Sequence, residues 1–246
     1  LNMLRGTVLF NNYFVNTIGL FLIFSISVLG FYVLLGYGGL ASLGTAGFIG
    51  LGAFLARYFV TIWHLPFIVA LLLVIIIGLL LGVVVGFISL RIEGMYLAII
   101  TLAIAELMIA FFRLGALKGL TGNFEGVSMP REKILFGLFE LTTKNMFTVV
   151  VVFFVVIMVI VYNLTKSPVG RAMLSMKNSE SAAQTMGVNL LKYRILAFVV
   201  ATILAMISGF LYMFNQRFAI LTEFNLNMSL NILAAVVIGG TASIWG

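Results

Sequence analysis

The chain has 246 residues, 63% of them hydrophobic and only 9% charged, with a mean hydropathy of +1.25; a soluble domain carries about 45–50% apolar and about 25% charged residues, so water is not its main solvent. Seven acids, all Glu, stand against 14 Lys and Arg, and in so apolar a chain the resulting +7 suits membrane-flanking positions rather than a nucleic-acid surface. Cys and Asp are absent and His64 is the only histidine, which excludes disulfides, thiolate metal sites and Cys nucleophiles, gives no reason to expect a metal or cofactor, and removes most enzyme classes.

In chain order, Leu1 opens without the charged n-region and short apolar h-region of a signal peptide. Positions 6–56 are then uncharged, a run of 51 residues. As helix it extends about 75 Å, so it holds two crossings of a core about 30 Å thick, with a turn between them. Within it, Gly36 to Gly47 contains five glycines with Ser42 and Thr45, a composition that makes a poor continuous helix. Non-helical backbone at membrane depth is tolerated only when buried in protein or lining a wet cavity. Two readings stay open: a broken segment beside a translocation path, with Gly39, Ser42, Gly44 and Thr45 as path residues, or a plain interhelical turn.

His64, beside Leu65-Pro66, reads as a surface-turn residue. The third span, 65–90, carries Gly78, Gly82 and Gly86 on one face, the small-xxx-small pattern of a packing seam. Positions 94–112 hold one charge, Glu106, about 18 Å along a helix from Gly94 and too far in to snorkel. An acid at that depth costs about 2.5–3.5 kcal/mol and needs a partner or water. It either belongs to a solute path, together with Thr101 on the same span, or pairs with Arg113 or another subunit.

A polar stretch over 114–145 precedes an uncharged span at 145–165. The second polar stretch, 165–194, carries Lys166, Arg171, Lys177, Lys192 and Arg194 with Glu180 as its only acid. Asn178 is placed as the cap of a short helix and Gly187 as its left-handed end. Ala182, Ala183 and Met186 share one face of that helix and Glu180 and Gln184 another. It is too short and polar to cross a membrane, and either docks another protein or rests on lipid headgroups.

Spans at 195–216 and 224–246 bring the expected number to seven. Runs such as Val149 to Phe154 do not alternate as barrel strands do, so the spans are helices. The fold expected is an all-α polytopic membrane bundle, one transmembrane domain over 1–246. The segment Gly239 to Gly246 echoes Gly38 to Gly44, which suggests an internal repeat and adds Gly240 and Ser243 to the path residues. The chain stops inside an apolar run, so one or more spans of the natural protein are expected to be missing. Basic residues number six on one side and seven on the other, which leaves sidedness open.

Ser181-Ala182-Ala183 followed by Gly187 resembles the Glu-Ala-Ala-x-x-x-Gly coupling motif of bacterial ABC importer permeases, with Ser in place of Glu. Ser167-Pro168-Val169-Gly170-Arg171-Ala172 leading into it, and Lys192-Tyr193 with Ala197-Phe198 after it, are similar to the permeases of branched-chain amino acid importers. So are Leu90 to Ala98 continuing into Thr101-Leu102 and Glu106, the loop Leu120-Thr121-Gly122 with Gly126, and the two glycine-rich segments. Asn123 stands where that family usually has a second Gly.

The resemblance implies that loop 165–194 is cytoplasmic and couples to ATPases through Gly170, Arg171, Glu180, Ser181, Ala182, Ala183 and Gly187, while loop 114–145 is periplasmic. It implies a multi-pass subunit of the bacterial inner membrane. Its expected partners are two ATP-binding subunits, a second permease, a periplasmic or lipid-anchored solute-binding protein and the surrounding lipid. The solute implied is a branched-chain or related amino acid, with urea, amides or sugars as alternatives. An ion-gradient-driven carrier and a scaffold subunit of a larger membrane complex are the competing classes.

Overall fold

The computed structural model describes residues 12–89, 92, 94–112, 126–129, 133–134, 139–140 and 143–241. Helix α1 (Asn12–Tyr32) widens into a π-helical turn over Val33–Tyr37, after which residues 38–44 leave helical conformation. Helix α2 (Thr45–Arg57) likewise ends in a π-helical turn, Tyr58–Ile62. His64 follows, exposed and at φ +52°, in the tight turn before Pro66 and α3 (Phe67–Ile88). Helix α4 (Met95–Phe112) leads into short strands β1 (Val127–Ser128), β2 (Lys133–Ile134) and β3 (Phe139–Glu140). Then come α5 (Thr143–Lys166), two short helices α6 (Pro168–Asn178) and α7 (Glu180–Thr185), and the long α8 (Leu190–Gln216). Strand β4 (Phe218–Ala219), a single 3-10 turn (Leu221–Glu223) and α9 (Leu226–Gly239) complete the described chain.

Apolar helices stand at the seven positions where spans are expected, though not all have the length of a span. Five are long enough to cross a bilayer, and the helices at Tyr96–Ala110 and Leu226–Gly239 are shorter. The chain is a multi-pass all-α membrane protein.

Helix α8 is the mast of the bundle, with Phe198, Met206, Phe210, Leu211 and Met213 fully enclosed. Lipid tails are as apolar as leucine, so helices associate here through close packing and polar contacts rather than hydrophobic expulsion. The Gly78, Gly82, Gly86 seam of α3 lies directly on α8. A Cβ on Gly82 would stand 2.6 Å from Val199 Cα, and one on Gly86 2.8 Å from Ile195 Cα. At the other end Phe67 packs edge-on against Phe210 and Phe214, with centroids 5.0 and 4.8 Å away. From α8, Gly209 fits against the backbone of α2 at Ile49 and Ala53. Ser208 Oγ donates to the Ile23 carbonyl of α1 at 2.8 Å.

The two polar loops lie at opposite ends. Val127 pairs with Ala219 and Ser128 with Phe218, antiparallel, which ties the loop after α4 to the C-terminal end of α8. Arg57 Nε donates to the Ser128 carbonyl at 3.1 Å, placing the end of α2 there too. Loop 165–194 sits at the other end, where α8 begins. The middle of the outward faces of α3 (Leu72, Ile76, Leu80, Val84) and α5 (Val152, Val156, Val159, Ile160) is aliphatic, as lipid requires.

Candidate functional site: a broken helix and the loop that grips it

The break at 38–44 is buried in protein rather than lying at a surface: Gly38, Leu40, Ser42 and Gly44 are all enclosed. Gly38 approaches Ala197, and Ser42 and Thr45 share a small void with Thr202. Those α8 residues lie about 10 and 18 Å from the start of a helix about 40 Å long, so the break occupies the middle depth of the bundle. Apolar side chains, among them Phe31, Phe48, Phe198 and Ala205, form the rest of the lining of the void, which has room for about one water molecule.

Buried amides at a helix start need acceptors. Hydroxyls from three elements supply them here. Thr101 Oγ1 on α4 accepts from Leu43 N at 3.0 Å, Ser42 Oγ from Gly44 N at 3.3 Å, and Ser229 Oγ on α9 from Ala46 N at 3.0 Å. On the other side of the break, the carbonyls ending the first span are met partly from outside. Lys177 Nζ on α6 donates to the Gly36 carbonyl at 2.8 Å. A cation at a helix C-terminus is favoured by the helix dipole. Gly39, at φ +67°, lies against the Lys177 side chain, where a Cβ would stand 3.0 Å from Cγ.

Ser42, Gly44, Thr45 and Thr101 therefore come together, and Gly39 sits at their outer edge beside Lys177. Gly240 ends α9 at φ +94°, and the Thr241 carbonyl beyond it lies close to Gly36, so the two glycine-rich segments do meet. Glu106 is not in this cluster. It is exposed on a different face of α4 from Thr101 and Ala105, which pack on Gly44 and Gly47. Ser243 and Arg113 lie outside the described residues.

Loop 165–194 is built by strong local signals. Ser167 caps α6 by accepting from Gly170 N, with Pro168 in the first turn. Gly170 is pressed onto the carbonyls of Leu164 and Thr165, and an Arg171 guanidinium N–H donates to the Lys166 carbonyl at 3.2 Å. Ser179, not Asn178, caps α7, accepting from Ala182 N at 3.3 Å. Asn178 is spent as the last residue of α6, so the cap falls one position later. Gly187, at φ +82°, closes α7 in the left-handed region as expected, and Val188 N returns to the Ala183 carbonyl at 3.0 Å. The small face divides: Ala183 is buried, while Ala182, Ser181 and Met186 are exposed, Met186 at 84%.

Two contacts of this loop escaped the sequence reading. Lys177 was legible only as one of five basic residues, although it flanks the buried Met173 and Met176 of α6. Arg194 was placed outside the span, yet it lies in the first turns of α8, 4% exposed, and forms an ion pair with Glu180 of α7. The pair straps α7 to α8. Arg194→Met should lower unfolding stability in detergent by about 1–2 kcal/mol, since Glu180 is half exposed and the pair is worth less than a fully buried one. Arg194→Lys should fall between the two; identical denaturation midpoints for all three would show that the strap carries no load.

The loop thus holds three spans at once: α5 through Gly170 and Arg171, α1 through Lys177, and α8 through the Glu180–Arg194 pair. A small, partly apolar patch of α7 is left open on its outer side.

A family model described as branched-chain amino acid transport system / permease component matches residues 13–246. The high-affinity branched-chain amino acid transport system permease proteins LivM of Salmonella typhimurium LT2 and Escherichia coli K12 are each 28% identical over 247 residues, covering 90% of this chain. The chain spans 57% of the length of these curated relatives. No solved structure matches it. The chain belongs to the branched-chain amino acid transport system permease family.

Proposed function

We propose that this family member is the membrane-spanning part of an ATP-driven importer of the bacterial inner membrane, carrying branched-chain or related amino acids, and that loop 165–194 is its cytoplasmic coupling element. Loop 114–145 then faces the periplasm, where a solute-binding protein delivers cargo. The chain contains no G-x-x-x-x-G-K-[ST] phosphate loop, so ATP is hydrolysed in separate subunits and its energy arrives as movement. The observation that carries this reading is the Lys177–Gly36 hydrogen bond, a direct link from the surface loop to the broken helix in the interior.

ATPase subunits press on the exposed Ala182–Met186 patch. Ala183 and the Glu180–Arg194 pair pass that displacement to α8, and Lys177 passes it to the end of the first span. Both meet at the void among Ser42, Thr45 and Thr202, closed here to a solute. ATP shifts the equilibrium between inward- and outward-open forms only by binding one of them better.

Ala182→Arg tests the reading. The site is exposed, so folding stability should stay within about 0.5 kcal/mol. Solute-stimulated ATP hydrolysis in the reconstituted importer should drop about tenfold, the size of an ordinary coupling free energy. Full stimulation and uptake with the arginine in place would defeat the proposal.

A further inference from the structure

One row of side chains on α5 changes character toward its end. Val152, Val155, Val159, Tyr162 and Lys166 follow one another at spacings of three and four, so they share a face, and all are exposed. Of the five long spans, α5 is the one least covered by protein. The row passes from aliphatic residues through a tyrosine to a lysine over about 21 Å of helix. Half of a hydrocarbon core is about 15 Å, so the row covers one leaflet and ends at headgroup depth.

Lys166 folds back along this face: its Nζ donates to the Tyr162 hydroxyl and stands 4.3 Å from the ring centroid. An ammonium has three donors, so two remain for another acceptor. Arg171, exposed in the first turn of α6, donates one N–H to the Lys166 carbonyl at 3.2 Å, which seats its guanidinium on the last turn of α5. Neither cation meets a carboxylate among the described residues, and Glu180, the only acid of loop 165–194, is engaged by Arg194. Two positive charges at one helix end repel each other, and the helix dipole offsets only part of a charge there.

We propose that this corner of α5 and α6 binds an anionic phospholipid, its phosphate held between Lys166 and Arg171 and an acyl chain laid along Val159, Val155 and Val152. A lysine stacked on a tyrosine at the edge of an apolar face is the arrangement that sets a charge in the headgroup layer. Arginine offers phosphate oxygens a planar fork and lysine a point charge. An acidic protein segment would meet the two cations but not the aliphatic row that leads up to them, whereas a phospholipid meets both. The headgroup fixes the corner from which α6 carries Lys177 to the Gly36 carbonyl.

Native mass spectrometry of the purified chain, delipidated in detergent and offered equal amounts of phosphatidylglycerol and phosphatidylcholine with the same acyl chains, tests this. Phosphatidylglycerol should be retained about tenfold more than phosphatidylcholine, and Lys166→Gln combined with Arg171→Gln should abolish the preference. Lys192→Gln, which removes an exposed cation at the start of α8, should leave it intact. If the double variant fails to fold, Lys166→Gln alone, at an exposed position, should lower the preference about fivefold. Equal retention of the two lipids, a preference unchanged by Lys166→Gln, or the same loss in Lys192→Gln would each overturn the proposal. So would full displacement of the lipid by inorganic phosphate, because a site that needs no acyl chain is a free-anion site. Release of the bound phosphatidylglycerol on adding ATP-binding subunits would assign the two cations to a protein partner instead.

Discussion

Lys177→Met should uncouple the importer: solute-stimulated ATP hydrolysis and uptake fall about tenfold or more, while basal hydrolysis and the amount of folded protein stay near normal. Lys177 reaches across from α6 to a carbonyl 141 residues away in sequence, at the end of the first span. A hydrogen bond from a charged donor contributes about 1.5–3 kcal/mol, and about 1.4 kcal/mol is a factor of ten. Lys177 is an exposed residue whose stem rests on Gly39, so it is not part of the core and removing the ammonium leaves no cavity. Methionine keeps the stem and drops the donor. Lys177→Arg should restore part of the coupling, because it supplies a donor with different geometry. A purely structural role would lower thermal stability and yield without changing the ratio of stimulated to basal hydrolysis; unchanged stimulation in the methionine variant would remove Lys177 from the coupling route.

Gly209→Val should have the largest effect on folding. Its missing side chain is what allows α2 and α8 to touch: a Cβ there would overlap the Ile49 carbonyl and stand 3.0 Å from Ala53 N. Both obstacles are helix backbone, which cannot step aside as a side chain can. Overpacking costs about 1–3 kcal/mol where neighbours can shift, and here the expected cost is at or above the top of that range. Little monodisperse protein should survive extraction into detergent. Gly78→Ala is the milder comparison, since its nearest neighbour is the flexible Met206 thioether at 3.1 Å and the backbone at Ile203 Cα stands 3.3 Å away, against 1.8 Å for the Ile49 carbonyl at Gly209. If Gly209→Val matched the wild type in yield and melting temperature, the α2–α8 contact would not be the close crossing described.

The helices were legible because charge-free runs of the right length leave little choice in lipid, and the Gly78, Gly82, Gly86 seam because its spacing of four is a local property. The glycine-rich region was legible as a fault in the first long run, but two readings of it stood side by side. Burial supplies the geometry: Gly38, Leu40, Ser42 and Gly44 are enclosed while Gly39 is open, and the neighbouring amides are served by Thr101 and Ser229, residues on distant helices. No local pattern encodes those partners. The same holds for Lys177 and Arg194, whose partners lie 141 and 14 residues away. The helix cap moved from Asn178 to Ser179 because both residue types favour that position and only the end of α6 chooses between them. Glu106 was recognised as costly in the membrane, yet which way it points depends on the register of α4 against α2.

The three hydroxyls at the head of α2 have a mechanical consequence. A carbonyl is fixed in its peptide plane, whereas an alcohol oxygen swivels about its own bond and accepts from a wide cone of directions. A small roll of α2 would therefore trade one alcohol contact for another instead of tearing an amide bare, much as a ball joint keeps bearing weight while it turns. Where α2 meets α8 at Gly209 the contact is backbone against backbone and has no such play.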